Sequence, residues 1–326
     1  VSKKQRKEAR IMAQTGSKKK VLKQDLSQKE NSSGKIVMSL LFREETPFPG
    51  SEALQKALGS HLGPVTAMKY SDKMAAFAAE GFSYSLNGDQ EITPQLLLLP
   101  CIPVDEPLLD DVAASQLARS PGAAEVLENC HYQIVATDLL ATGMDRRQHA
   151  HMLLVFLKAL MEVFPACEGV FCSSSKNGLS RQFIADTFED AEMPESIKFI
   201  ELFISIRFFR QEDSGDFLVD SLGMGALDLP DVQYHFHGMD PDQVIAHAFG
   251  ILSYMHDHGC TMKSGDTFDG LDSDYEMTER VQWELNFENA LVQPVREAVP
   301  PAEARFSRVP PSSQTTLVTL WAPSRV

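Results

Sequence analysis

The chain has 326 residues, 30 Lys and Arg against 45 Asp and Glu, and 43% hydrophobic residues, the profile of a globular protein of one large or two small domains. No apolar run approaches the roughly 18–20 residues of a membrane-spanning helix, and the longest, residues 95–101, is broken by Pro100 and preceded by Pro94. The five cysteines (Cys101, Cys130, Cys167, Cys172, Cys260) are scattered without a CxxC spacing, and the basic N-terminus has no apolar stretch of the secretory kind, so reduced thiols and a cytoplasmic location are expected.

Charge divides the chain before any pattern does. Residues 1–34 hold ten basic and three acidic side chains, a local +7; the whole chain carries −15, which leaves −22 on the remainder. Dense like charge with few apolar groups cannot offset its own ordering entropy, so a disordered basic tail is expected up to Gly34. Nucleic acid is an unlikely partner except through that tail, because the acidic body would repel a polyanion. At the other end, residues 299–326 read as a Pro- and Ser-rich tail (Pro300, Pro301, Pro310, Pro311). Only residues 315–321 there are strand-like, suited to adding to a sheet in this molecule or a neighbouring one.

Between the tails, residues 35–104 read as a first unit. Residues 36–42 form an apolar strand. Ser51 is placed as the cap of a short helix with Leu54, Ala57, Leu58 and Leu62 on its face. Extended stretches follow at 65–70, 75–86 and 91–103, with Asn87-Gly88 as a hairpin turn. Residues 105–130 are acidic and Ala-rich without a clear period, and read as connection.

The second unit, residues 131–298, starts with a strand at 132–138. Asp145 then caps a helix running to about Val163 whose middle, residues 152–157, is apolar on every side and so should be buried. A short strand at 169–172 and a helix at 179–188 come next. Residues 197–209 read as a long strand because Ile200, Leu202, Ile204, Ile206 and Phe208 alternate. Strands at 217–222 and 232–237 form an antiparallel set. Asp240, Pro241 and Gln243 then open a helix with a stripe of Val244, Ile245, Ala248, Phe249, Leu252 and Met255, and Gly259 ends it. Strands and helices in mixed order, without GxGxxG or a Walker loop, indicate an α+β protein of mostly antiparallel sheets with helices packed on them. The two units read as candidate diverged copies of one βαββ-type unit.

The segment from Asp220 to Asp231 (DSLGMGALDLPD), the segment from Tyr234 to Pro241 (YHFHGMDP) and Gly265-Asp266-Thr267 resemble, in that order, the bacterial family of domain of unknown function 4261. The likeness is best over residues 197–285. Two positions depart from the family pattern: Asp228 stands where the family has Gly, and Cys172-Ser173-Ser174-Ser175 replaces an aromatic or Pro. The resemblance implies a fold and names no reaction.

His235 and His237 lie two apart on one strand and share a face. With Asp266 and Thr267 they make the candidate binding site, on the expectation that the helix from Asp240 brings the Gly265–Gly270 turn back beside the strand. His235, His237 and Asp266 are also the ligand set of the alternative reading, a metal-dependent hydrolase. Asp266, Asp269, Asp272 and Asp274 fail the EF-hand spacing and read as a solvated acidic turn. Ser173-Ser174-Ser175-Lys176 lacks both GxSxG and S-x-x-K, and His149 and His151 read as core or cap histidines. The leading expectation is a binding or regulatory protein of the immunity or stress-response kind. No catalytic residue and no cofactor is assigned. It meets a protein partner of basic character, makes no membrane contact, and its assembly as a homodimer is left open.

Overall fold

In the computed structural model, residues 35–86, 88, 90–109, 111–210, 215–289 and 317–322 are described. The expected basic tail at 1–34, residues 211–214 and the stretch 290–316 lie outside them. The element order is β1 (Val37–Phe42), α1 (Ser51–Leu62), β2 (Val65–Tyr70), β3 (Ala75–Ala79), β4 (Tyr84–Leu86), β5 (Gln90–Ile92), β6 (Gln95–Leu98), β7 (Ile102–Pro103), α2 (Asp111–Ala114) and α3 (Ala123–Asn129). It continues with β8 (Tyr132–Leu139), α4 (Arg146–Val163), β9 (Gly169–Cys172), β10 (Asn177–Ser180), α5 (Arg181–Glu189), α6 (Glu195–Phe203) and β11 (Ser205–Arg210). The last elements are β12 (Phe217–Leu222), β13 (Asp231–Phe236), α7 (Pro241–His258), β14 (Thr267–Leu271), β15 (Met277–Asn289) and β16 (Leu317–Ala322).

Two large sheets result, and the architecture is α+β. The first runs β10-β9-β1-β8-β6-β3-β2, with β7 also on β8, and every pairing in it is antiparallel. The second runs β11-β12-β13-β16-β15-β14, antiparallel except where β16 lies parallel to β15. The strand near the C-terminus therefore fills the middle of the second sheet. Its neighbours β13 and β15 pair across it. β4 and β5 make the small hairpin that Asn87-Gly88 signals.

Helix α4 is buried along most of its length because its apolar residues surround all but a strip of exposed Arg147, Gln148, His151, Lys158 and Glu162. Asp145 accepts from the backbone N–H groups of Arg147 and Gln148, the cap its sequence requires. Met152, Leu153, Leu154, Phe156 and Leu157 are all buried, each large side chain stabilising by about 1.5–3 kcal/mol. The helix packs against α1, α6 and α7. Buried residues of both sheets, from Ile36 to Leu285, form one continuous cluster. Among the described residues no helix is long and apolar enough to cross a membrane.

Several elements differ from the sequence reading, each for a local reason. Residues 195–203 are helical, not extended. Pro194 precedes the first turn, Glu195 sits where the helix dipole favours an acid, and Ser196, Phe199, Ile200 and Phe203 share the buried face at helical spacing. Only Ser205–Arg210 keeps the alternating strand. Residues 177–180 are a strand, after which Ser180 caps α5 by accepting from Phe183 N–H. Gly50, not Ser51, flanks α1, without a side-chain cap. A turn at Glu80–Phe82 interrupts the extended run of 75–86.

The stretch 105–130 does more than connect. Val126 and Leu127 of α3 pack with Leu41, Cys130 and Phe171 on the second face of the first sheet, so β1 is buried on both sides. Strands β8, β9 and β10 follow that stretch yet pair in the first sheet, so the sheets are not partitioned at 105–130. Nor do the two strand orders repeat a common unit.

Candidate functional site

Strand β13 alternates Val232, Tyr234 and Phe236 into the core with Gln233 and His235 outward. His235 thus lies on the outer face of the second sheet, and His237 stands just past the strand end with a side chain 72% exposed. Their carboxylate is Asp216, ahead of β12. Its Oδ1 is 3.1 Å from His237 Nδ1 and its Oδ2 is 3.8 Å from His235 Nε2. Asp266 belongs to another place. Its Oδ2 accepts from Lys263 N–H at 2.7 Å, and its backbone pairs with Leu285 and Lys263, so it holds the tight turn that leads into β14. Thr267, the first residue of β14, is exposed. Strands β16 and β15 lie between β13 and β14, a displacement of three strand spacings or about 14 Å. The structure brings His235 and His237 together with Asp216 and leaves Asp266 and Thr267 apart from them. Among the described residues no group of three His, Cys, Asp or Glu is arranged to hold a metal ion.

The histidine that does reach β14 is His247, from the middle of α7. Its Nε2–H donates to the carbonyl oxygen of Asp269 at 2.8 Å, and its Nδ1 is 3.0 Å from the Tyr234 hydroxyl. The rings of Trp283 and Phe268 lie 4.6 and 5.5 Å from it. Burial lowers its pKa below the ordinary histidine value, against the opposing pull of Asp269. Neutral imidazole, donating at Nε2 and accepting at Nδ1, fits all of these contacts. The close packing needs Gly270, since a Cβ there would stand 2.5 Å from Trp283 Nε1. This cluster braces the sheet edge to α7.

A second buried pair joins Asp138, at the core-facing end of β8, to His149 in the first turns of α4, with Nε2 and Oδ2 2.9 Å apart. Both side chains are closed to solvent, so the pair is a brace, in keeping with a core histidine. The cysteines are all free. Burial pushes the thiols of Cys167 and Cys172 up to about 12, which removes them as nucleophiles at neutral pH. Of the serine run 173–175, Ser175 is fully buried against Gly223, whereas Ser174 is exposed.

The segment from Asp220 to Asp231 is built around two carboxylates. Asp220 accepts a two-pronged bond from Arg207, at 2.8 and 2.6 Å. Asp231 accepts from Ser221 Oγ and from the N–H groups of Gly223 and Met224. Burial raises the pKa of both, opposed by those donors. These bonds fold the loop after β12 into a fixed turn, and within it Asp228 takes φ 57, a left-handed backbone where glycine is favoured. That accounts for the glycine of the family pattern at this position.

Two surfaces remain accessible. The first is the β14–β15 hairpin at the outer end of the second sheet. Asp272 Oδ1 organises its turn by accepting from Asp274 and Glu276 N–H, and Asp274, Glu276, Glu279 and Glu284 are exposed. The second is an open cleft of about 800 Å³ between the end of α1, the turn at Glu80–Phe82 and the starts of α4 and α6. His61, Arg147, His151 and Glu195 line it. Sequence reasoning missed this set because its members come from separate segments. The one legible signal is that Arg147 and His151, four apart, share a face of α4.

Comparison with curated proteins and with solved structures gives no match. Residues 220–300, which hold the Asp231-centred turn, His235, His237, α7 and the acidic hairpin, match the model of the family described as Domain of unknown function (DUF4261).

Proposed function

We propose that this protein acts by binding, holding a protein partner of basic character through the acidic hairpin of β14 and β15. The observation that carries the reading is the row of carboxylates along this hairpin, Asp274, Glu276, Glu279 and Glu284, all exposed and, among the described residues, without an ion-pair partner. Exposed carboxylates without a local counter-ion favour complementary charge on a partner, and Arg280 is the basic side chain among them. The wider body charge of −22 steers the same class of partner. A reducing cytoplasm is the compartment we propose, supported by five free thiols in an ordinary hydrophobic core.

The test compares the native chain with the variant carrying Asp274→Asn, Glu276→Gln, Glu279→Gln and Glu284→Gln. A partner captured from the native host and then purified should associate with the variant at least about tenfold more slowly, and raising the salt should erase the difference. Equal association rates for the two chains at low salt would overturn the reading. A metal content of at least one equivalent in purified protein would instead revive metal chemistry.

A further inference from the structure

We infer that two copies of this chain pair through the outer face of the first sheet, over β8, β6, β3 and β2, packed face to face about a two-fold axis. Strand β8 alternates through that sheet. Ile134, Ala136 and Asp138 are closed on the core side, while Gln133, Val135, Thr137 and Leu139 stay partly open on the other. The register sets Leu97 opposite Thr137 and Ile102 opposite Gln133, so both share the open face, and Leu99, whose N–H bonds the Val135 carbonyl, continues the row. The stretch 105–130 shields the β1 and β9 end of this face, at Leu41 and Phe171. Past that shield Leu99 and Ile102 are 37% and 41% exposed. Apolar side chains scattered singly over a surface need no explanation, but a contiguous row on a flat sheet marks a contact surface.

Charge and relief together identify the occupant as a second copy. From β8 through β6 to β3 the outward positions are Gln, Val, Thr, Leu and Ala, and Lys69 on β2 is the first charge met. A chain of net charge −15 repels its own copies wherever carboxylates face each other, so a neutral apolar face is where another copy can approach. A basic partner would find no carboxylate there to hold it. In relief, Ala76 stands opposite Leu97 and Ala78 opposite Gln95, so a shallow strip on β3 runs beside the ridge of Leu97, Leu99 and Ile102. A two-fold axis between them lays the ridge of each copy in the strip of the other, with the sheets about 10 Å apart and their strands crossing at about −30°. Four strands spaced about 4.8 Å and about 20 Å long offer roughly 400 Å² a copy, or roughly 800 Å² for the pair before the rim is added, the scale of a weak and reversible dimer. This inference does not depend on the hairpin reading.

The test is sedimentation velocity of the full chain from about 5 to about 200 μM, at about 0.15 M and about 0.5 M salt. The native chain should pass from monomer to dimer with a Kd on the order of 50 μM, and should associate at least as tightly at the higher salt, because the contact is apolar and the remaining repulsion is screened. Leu99→Glu with Ile102→Glu should raise the Kd at least about tenfold, and so should Leu99→Lys with Ile102→Lys. A one-to-one mixture of those two chains should recover the dimer, which happens only where the face meets itself. Thr66→Glu, at an exposed position of the edge strand opposite Ala78, spares the core and should weaken association at least about threefold. Met277→Glu, an exposed apolar position on the hairpin, should leave it unchanged. A monomer at the highest concentration, dissociation by salt, native association of the glutamate chain or of Thr66→Glu, or no recovery in the mixture overturns the inference.

Discussion

Asp228 shows how a single backbone angle can be read from chemistry. An L residue at φ 57 carries a penalty of about 1–2 kcal/mol, and glycine avoids it while losing about 0.5–1 kcal/mol of chain entropy. The Asp228 side chain is exposed, so nothing else is lost on replacement. Asp228→Gly should therefore stabilise by about 0.5 kcal/mol in urea unfolding, and a clear loss would show that the carboxylate has a role of its own. His247 makes the complementary case. Its folded-state pKa is depressed by burial, so below the ordinary value of 6.5 the unfolded chain takes up a proton that the folded chain refuses. Stability should be full above pH 6.5 and decline below it. His247→Gln, whatever its absolute stability, should remove that part of the slope, and an unchanged slope would mean that His247 is charged in the fold.

The capped starts of α4 and α7 were legible, because a cap is a local chemical requirement. Asp240 accepts from Asp242 N–H, Pro241 starts α7, and Gly259 at φ 80 ends it, all as the sequence demands. Asp240→Ala should cost about 1 kcal/mol in equilibrium unfolding, whereas Asp269→Ala should stay within about 0.5 kcal/mol. The difference is that Asp269 gives His247 its backbone carbonyl, which the alanine keeps, and its side chain only meets exposed Gln282. A reversed order would mean that the acidic turn is structural or ligated. α6 was illegible for a definite reason. In 197–209 the apolar residues fit a period of 2 and a period of 3.6 together, and tertiary burial of Phe199 and Phe203 decided for the helix. The pairing of the second sheet was hidden in the same way. Nothing in the sequence of α7 tells that β14 returns outside β15 and β16, so His235 and His237 were given Asp266 when the fold supplies Asp216.

At the scale of the molecule, the two sheets behave as one body because their buried residues are one cluster, with α4 in its middle. Chain order does not separate them. β8, β9 and β10 complete the first sheet after the connection at 105–130, and the same connection covers the back of β1. Arg146 adds a polar tie, since its guanidinium closes the C-terminus of α7 from the N-terminus of α4. An element shared between two sheets cannot unfold with one and remain with the other without exposing Leu153, Phe156 and Leu160 to water, at about 1.5–3 kcal/mol each. Denaturation of the native chain should accordingly be one cooperative transition, with calorimetric and van't Hoff enthalpies equal to within about 10%. Two resolved transitions would show that the sheets are separate domains. Arg146→Ala should lower the midpoint while leaving the transition single, because the apolar contacts of α4 and not its polar tie carry the coupling between the sheets.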